Sequence, residues 1–114
     1  MNARRSMTRG IGAALLAAAT GLAPLPVRAQ PAEVKLENYA FAPAELTVKA
    51  GTTVRWTNGE KRVSHSILFT GPGGFESDRI FPGESWERRF DKPGRYPYTC
   101  GPHPEMKGLV VVTP

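Results

Sequence analysis

The stretch that most constrains this chain covers residues 96–106, which contain its only cysteine. Cys100, His103 and Met106 follow one another there with the spacing Cys-x2-His-x2-Met. An aromatic segment rich in β-forming residues precedes them and an aliphatic run follows, which predicts a tight loop between two strands. A thiolate, an imidazole and a thioether this close together indicate a copper site in which the thioether is a weak axial ligand.

The first 29 residues differ in composition from the rest of the chain. Three arginines lie near the start, residues 11–23 are apolar, and small residues occupy the two positions that a signal peptidase reads. We therefore predict an export signal over residues 1–29 that is cleaved after Ala29, and a mature domain of residues 30–114. An export signal of this kind implies a periplasmic location.

The alternative to a cleaved signal is a membrane anchor, which the length of the apolar run disfavours. The run is well short of the roughly 20 residues that span a bilayer, so we expect no stable membrane insertion. Arg4 and Arg5 loosely resemble the start of a twin-arginine signal, although Met7 lies where an aromatic residue or leucine is more usual. Export by the twin-arginine route and export by the Sec route therefore both remain open.

The charge of the mature domain argues against nucleic acid as a partner. The full chain has a formal net charge of +5, but four of its 15 Lys and Arg residues and none of its acids lie in residues 1–29. The remaining 11 basic and 10 acidic residues nearly cancel. The sequence shows no basic patch interleaved with aromatic residues, so we expect no nucleic-acid binding.

A single cysteine in an exported domain of 85 residues needs protection from oxidation. So small a domain is only marginally stable, and one cysteine cannot form an internal disulfide. A metal bond would protect the thiol and would also add folding free energy. A buried, inert Cys100 is the commoner fate of a lone cysteine, but the histidine and methionine at fixed offsets favour the metal site.

The mature domain has the pattern of an all-β protein. Period-two alternation, or β-branched and aromatic residues, predict seven short strands: residues 33–37, 45–49, 52–58, 65–69, 85–90, 95–100 and 109–113. Turn signals separate them, residues 38–43 are predicted as a turn, and no window outside the leader keeps helical periodicity. About seven short strands at this spacing predict an antiparallel sandwich or barrel.

Most of the aromatic residues are predicted to form the core: Trp56, Phe69, Phe81, Trp86, Phe90, Tyr96 and Tyr98. Phe75 and Ile80, in the irregular segment 75–82, are predicted as apolar plugs of the same core. Pro97 lacks an N–H for the ladder of its strand, which predicts an edge position or a bulge just before the copper loop.

The copper site needs one more strong ligand, and His65 is the only other histidine of the chain. It begins an apolar segment 35 residues before Cys100. In a sandwich, the end of that strand can reach the tip of the C-terminal hairpin. Two imidazoles and a thiolate would then form a trigonal set, with Met106 as the long axial ligand.

The mature domain resembles the cupredoxins, the small blue copper proteins, and within them the group of the amicyanins, pseudoazurins and plastocyanins. The resemblance rests on Phe-Ala-Pro at 41–43, on residues 48–58, on His65, and on the segments 81–83, 93–100 and 106–108. The Cys-x2-His-x2-Met loop with a proline after the histidine looks most like that of the amicyanins. The resemblance implies a Greek-key β-sandwich of about seven to eight strands, with antiparallel or mixed pairing and a copper site at one end. It also implies one copper ion bound by four ligands: His65, Cys100, His103 and Met106.

The resemblance implies electron transfer rather than catalysis. Copper held between the geometries that Cu(I) and Cu(II) prefer changes oxidation state with little rearrangement. We expect a monomeric, periplasmic electron carrier in which the ring edge of His103 is the electron port, surrounded by an apolar docking patch. By analogy with the amicyanins, an amine dehydrogenase would be its electron donor and a c-type cytochrome its acceptor.

Three residues beside the predicted ligands affect how the site is tuned. The residue after the first histidine is often asparagine in the family, and here it is Ser66. The residue after the cysteine is often serine or threonine, and here it is Gly101. Both differences affect the hydrogen bonds that orient ligands and tune a metal. Glu105 would place a negative charge near the docking face, unless it is simply solvated.

Three other functions compete with the electron carrier. An oxidase or nitrite reductase is disfavoured because both histidines are already used and no obvious catalytic set remains. A copper-binding or delivery module without redox turnover remains the alternative, although such modules tend to be rich in exposed methionine or histidine. Zinc accepts cysteine and histidine but binds a thioether poorly, so zinc would be a misloaded metal.

Overall fold

The computed structural model describes residues 31–114, so the predicted signal and its cleavage site lie outside the described residues. Within this range the chain forms eight strands and no helix. The strands are β1 (Ala32–Glu37), β2 (Ala40–Ala42), β3 (Glu45–Lys49), β4 (Thr52–Asn58), β5 (Leu68–Phe69), β6 (Ser85–Phe90), β7 (Gly94–Thr99) and β8 (Lys107–Thr113). A search of residues 31–114 for a helix able to cross a membrane finds none.

The strands form two four-stranded sheets that face each other across one core. One sheet has the order β2-β1-β4-β6 and the other the order β3-β8-β7-β5. Each sheet contains one parallel pair, β1 with β4 and β3 with β8, and the remaining pairs are antiparallel. The predicted β-sandwich with mixed pairing is confirmed. β3 and β4 have the predicted bounds, because their alternation is uninterrupted and turn residues flank both.

The predicted aromatic core is confirmed at four buried positions and two partly buried ones: Trp56, Phe69, Phe90, Tyr98, and then Trp86 and Tyr96. The ring of Trp56 meets the ring of Tyr98 edge-on at 5.5 Å and the ring of Phe69 edge-on at 6.1 Å. Each such aromatic pair contributes about 0.5–1.5 kcal/mol beyond its buried area. The core therefore fixes β4 and β7, and β7 leads directly into the cysteine.

Two predictions about the core are wrong, since Phe75 is 43% exposed and Phe81 is 54% exposed. Phe81 directly follows the buried Ile80, and neighbouring side chains of extended backbone point in opposite directions. Phe75 instead covers the outer side of Phe69, with ring centroids 5.2 Å apart, and its own ring is covered by the Arg88 guanidinium at 4.9 Å. Ile80, the other predicted plug, is buried as expected.

The strand predicted over residues 65–69 is regular only at Leu68–Phe69. His65 forms a single isolated bridge with Ile80 instead, in which each backbone N–H donates to the other residue's carbonyl. Two residues later, Ile67 bonds to Ser77 in the irregular segment 75–82. The backbone around His65 therefore forms no regular strand pair.

The turn predicted over residues 38–43 contains the short strand β2. Asn38 and Tyr39 adopt positive φ angles of 56° and 55°, which reverse the chain within two residues. The chain then returns along β1 as an antiparallel neighbour. Asparagine tolerates this conformation, but tyrosine adopts it rarely, so the sequence carried little signal for so tight a reversal.

Pro97 lies on an inner strand, so the predicted edge position is not literally correct. β7 pairs with β5 only at Tyr98 and Thr99, and Pro97 therefore lies beyond the end of that neighbour. On its other side Pro97 faces Leu109 of β8, whose N–H donates to the carbonyl of Ala44 at 2.8 Å and not to β7. Because neither neighbour requires an N–H from Pro97, the proline fits here without a bulge.

Tyr98 predicts how the stability of the domain responds to alkaline pH. Among the described residues its buried hydroxyl has no hydrogen-bond partner. Burial raises the pKa of Tyr98 from 10.0 to about 12, and the Trp56 N–H, which is near the hydroxyl without forming a hydrogen bond, acts in the opposite direction. The pKa of Tyr98 is therefore higher in the folded protein than in the unfolded chain. The neutral phenol contributes its full stabilisation below the unfolded pKa, and this contribution is lost as pH rises through the folded pKa.

We therefore expect Tyr98→Phe to remove an alkaline loss of stability of up to about 3 kcal/mol. The measurement is the free energy of urea unfolding between about pH 9 and about pH 12, the window in which the two pKa values lie. Tyr39→Phe is the matched control, because Tyr39 is 50% exposed and should leave the wild-type pH dependence unchanged. Equal pH dependence of Tyr98→Phe and wild type would contradict this account.

Candidate metal centre

Three donor atoms converge at one end of the sandwich. The Sγ of Cys100 lies 3.5 Å from Nδ1 of His65 and 3.5 Å from Nδ1 of His103. The ligand atoms of these three residues all lie within 4.8 Å of one another. The structure thus brings together three of the four predicted ligands, although His65 and Cys100 are 35 residues apart in sequence.

Two of the three donors come from the loop between β7 and β8. Cys100 directly follows β7, and Met106, nearly fully buried, directly precedes β8. Two backbone hydrogen bonds close this loop, from Met106 N–H to His103 O at 2.9 Å and from Cys100 N–H to Met106 O at 3.1 Å. Met106, the fourth predicted ligand, therefore lies at the base of this loop, and its backbone forms both hydrogen bonds that close the loop.

His65 lies in the connection between β4 and β5 and is fully buried. Its N–H donates to Ile80 O at 3.0 Å, and Ile80 N–H donates to His65 O at 2.7 Å. The buried Asn58, at the end of β4, donates from Nδ2 to Val63 O at 2.8 Å and to Ile80 O at 2.9 Å. These bonds tie the backbone at His65 and just before it to Ile80 and to the end of β4.

Glu60 determines which nitrogen of His65 is free to bind a metal. Its Oε2 lies 3.0 Å from Nε2 of His65, and because an ionised carboxylate only accepts, Nε2 carries the proton and Nδ1 presents its lone pair to the site. The N–H of Tyr39 donates to the same oxygen at 3.0 Å, and this bond together with that from His65 lowers the pKa of Glu60. Sequence analysis missed Glu60, because its contact depends on the course of an irregular loop.

His103 is the donor residue nearest to solvent, since it is partly exposed while His65 and Cys100 are buried. Tyr39, itself half exposed, meets the His103 ring edge-on with centroids 4.9 Å apart. The exposed Pro102 and Pro104 flank the histidine in sequence. The site therefore approaches the surface on the side of His103. Tyr39 is a second neighbour that sequence analysis missed.

Burial raises the pKa of the Cys100 thiol, while hydrogen bonds from the backbone N–H groups of Ser66 and His103 act in the opposite direction. The Ser66 N–H lies 3.4 Å from the sulfur. Because the burial effect is the larger one, the cysteine is a neutral thiol at neutral pH unless a cation binds. A bound cation would deprotonate this thiol outright.

Ser66 and Gly101 connect the histidine loop to the cysteine loop. The Gly101 N–H donates to Ser66 Oγ at 3.0 Å, and the Ser66 N–H points at the sulfur of Cys100. The two positions that depart from the family's usual residues therefore still link the loops, but through a hydroxyl and a backbone N–H.

The donor set fits copper. One thiolate and two imidazoles, with a thioether at the base of the loop, are the donors of a trigonal copper site with a weak axial ligand. In the part of the chain that the structure describes, no carboxylate joins the three clustered donor atoms. Zinc would leave the thioether without a role, because it is a poor zinc ligand.

Residues 29–113 match the family described as copper binding proteins, plastocyanin/azurin family. The chain is a cupredoxin. Amicyanin-alpha of Methylorubrum extorquens is 40% identical to this cupredoxin in an alignment of 84 residues that covers 70% of each chain. A Cu(I) form of an amicyanin variant has a TM-score of 0.71 at 30% identity, covering 76% of this chain and 86% of that one. The oxidized state of another amicyanin variant has a TM-score of 0.69 at 30% identity, covering 73% and 82%.

These similarities establish a cupredoxin most like amicyanin, with one copper ion as its cofactor. Together with the similarity to plastocyanins, they support a blue copper electron carrier. The predictions of family, fold class and metal made from the sequence are thereby confirmed.

Proposed function

We propose that this cupredoxin is a periplasmic mononuclear blue copper protein that transfers single electrons between redox proteins. Its copper ligands in this proposal are His65, Cys100, His103 and Met106. The observation that supports it most is the convergence of three donor atoms within 4.8 Å of one another.

The protein's contribution to electron transfer would be to keep its donors still. Copper bound here would supply a reversible one-electron couple. The closed loop holds Cys100 and His103, and the bonds of His65 to Ile80 hold the remaining imidazole. Burial of the thiol and of His65 keeps water away from the ligands, so little has to reorganise when an electron arrives or leaves.

His103 would be the electron port in this proposal, because its ring is the part of the donor set nearest to solvent. Exposed Tyr39, Pro102 and Pro104 beside it form a small apolar surface that we call the His103 patch. Weak redox encounters use small interfaces, below about 1,200 Å². The exposed Glu105, next to Pro104, adds a negative charge at the border of this patch.

The partners and the location in this proposal rest on the sequence. The similarity to amicyanins supports an amine dehydrogenase as donor and a c-type cytochrome as acceptor, each meeting a monomer of this protein. The composition of residues 1–29 supports export to the periplasm and cleavage after Ala29, by the Sec or the twin-arginine route.

Reconstitution with copper tests the proposed function. When an equivalent of Cu(II) is added to the purified metal-free protein, we expect intense thiolate-to-copper absorption and a narrow copper hyperfine splitting in electron paramagnetic resonance. Cyclic voltammetry should then show a one-electron couple that is stable over repeated cycles. A zinc-loaded sample is the colourless control. A colourless copper protein, or copper that leaves on each reduction, would contradict the carrier.

A further inference from the structure

The hydroxyl of Ser66 lies between the copper loop and a carboxylate. Ser66 is 1% exposed, and its Oγ donates to Glu76 Oε2 at 2.6 Å. Ser66 Oγ also accepts a hydrogen bond from the Gly101 N–H at 3.0 Å. The backbone N–H of Ser66 points at Cys100 Sγ, 3.4 Å away. A chain of hydrogen bonds thus leads from Glu76 through Ser66 to the residue after the cysteine and to the sulfur.

Glu76 is held in place by its own backbone segment. Residue 76 forms an isolated bridge with Leu68 of β5. The two neighbours of Glu76 bond to the same segment, since Phe69 N–H donates to Phe75 O and Ser77 N–H donates to Ile67 O, each at 2.9 Å. The Ile67 N–H returns a bond to Ser77 Oγ at 2.9 Å. The carboxylate therefore approaches Ser66 from a backbone that is fixed on both sides.

Gly101 leaves the space that this carboxylate occupies. A Cβ atom built on Gly101 would overlap Glu76 Oε2 and would lie 2.6 Å from Ser66 Oγ. Real Cβ atoms are not found this close to other atoms, so a larger residue at position 101 would displace the carboxylate or the hydroxyl. The glycine, the serine and the glutamate are therefore a matched set.

We propose that Glu76 is a positioning residue that, through Ser66, orients the cysteine loop and lowers the reduction potential of the copper site. This inference rests on the proposed function. A serine hydroxyl has one proton, and its donation to Glu76 leaves the oxygen lone pairs for the Gly101 N–H and no proton for the sulfur. Reduction adds one electron to the metal, so the fixed negative charge of Glu76 favours the oxidised, more positive site.

Two variants of Glu76 separate its charge from its hydrogen bond. Glu76→Gln keeps an oxygen that accepts the Ser66 proton, so we expect a higher reduction potential with an unchanged visible spectrum. We expect a change of about threefold in the equilibrium constant with a reference couple, which is about 28 mV at about 59 mV per tenfold for one electron. Glu76→Ala also frees the hydroxyl, so we expect the potential to rise and the thiolate-to-copper band to shift.

Glu105→Gln is the matched control, because Glu105, next to the predicted axial ligand, is exposed as Glu76 is, and the substitution removes the same charge. No hydrogen bond joins the Glu105 side chain to Ser66 or Gly101 in the described residues. The charge of Glu105 also acts on the Cys100 thiol, so we expect its removal to raise the potential as well, while the spectrum remains that of the wild type because no hydrogen-bond chain is broken. If both Glu76 variants bind copper with the wild-type reduction potential and visible spectrum, the inference is overturned and the proposed function remains intact.

The Gly101→Ala substitution in two backgrounds tests the position of the carboxylate. In the wild type the new methyl group competes with Glu76, so we expect lower unfolding free energy and an altered copper spectrum. In the Glu76→Ala background the space is free, and most of both effects should disappear. Equal effects in the two backgrounds would mean that the carboxylate does not contact Gly101, which overturns the inference. Failure of the wild type itself to form the copper spectrum would instead contradict the proposed function.

Discussion

Replacing Cys100 with serine is expected to abolish the intense visible absorption of the copper-loaded protein. A serine hydroxyl is not ionised at neutral pH and does not replace a thiolate as a copper donor. Loss of a residue that only supports a metal ligand lowers affinity by about 10–100-fold, and loss of the ligand itself should lower copper affinity by more. The measurements are a Cu(II) titration followed by visible absorption, electron paramagnetic resonance, and competition with a chelator of known affinity.

The fold of the serine variant must be checked at the same time. Cys100 is fully buried, so its replacement buries a hydroxyl beside the Ser66 N–H that now points at the sulfur, and hydrogen bonding of that hydroxyl that is left unmade costs about 1–3 kcal/mol. Circular dichroism should still show a folded β protein. Thr99→Ser, which changes the neighbouring residue at the end of β7 and keeps the thiol, should develop the wild-type colour. A folded Cys100→Ser protein that keeps the visible band would show that the thiolate is not a ligand.

The copper loop could be predicted from the sequence because its information is local. Cys100, His103 and Met106 lie within one short loop, and the strands on both sides have clear β patterns. His65 could be added only because the chain has no other histidine outside that loop. The structure brings its imidazole to the sulfur, as the sandwich topology requires.

The regular strands could be predicted for the same reason. β3 and β4 alternate without interruption and lie between turn residues, so sequence and structure agree on their bounds. The segment after His65 lacks such a ladder, and there the prediction failed. Phe75 and Phe81 are large and apolar, but the course of irregular backbone decides which side chains face inward. A burial preference averaged over proteins contains no information on that course.

The contacts around the ligands could not be predicted, because they join residues of different loops. Glu60 meets His65 and Tyr39 meets His103 only after the loops have taken their final course. Sequence analysis did identify Ser66 and Gly101 as positions that differ from the family. It could not find Glu76, which bonds to Ser66 and lies beside Gly101, because Glu76 is ten positions after Ser66, beyond the short strand β5 and a loop.

A glutamate in place of Pro104 is expected to slow electron self-exchange between two copies by at least about tenfold at low ionic strength. If His103 is the electron port, as proposed, self-exchange brings the His103 patch of one molecule against that of another, so each added charge faces its equal. Pro104 is exposed and follows His103 directly. The rate can be measured from nuclear magnetic resonance line widths in mixtures of oxidised and reduced protein. Added salt should restore it, since the screening length falls from about 30 Å at 0.01 M to about 8 Å at 0.15 M.

Pro93→Glu provides the same change of charge at the other end of the molecule. Pro93 is exposed between β6 and β7, and the copper loop follows the opposite end of β7. The self-exchange rate of Pro93→Glu should remain close to that of the wild type, because the added charge lies far from the contact between two His103 patches. If both glutamate variants slow the exchange equally, the effect is one of net charge and the electron does not leave through His103. If only Pro104→Glu is slow, and salt restores it, the patch around His103 is the surface through which this protein exchanges electrons.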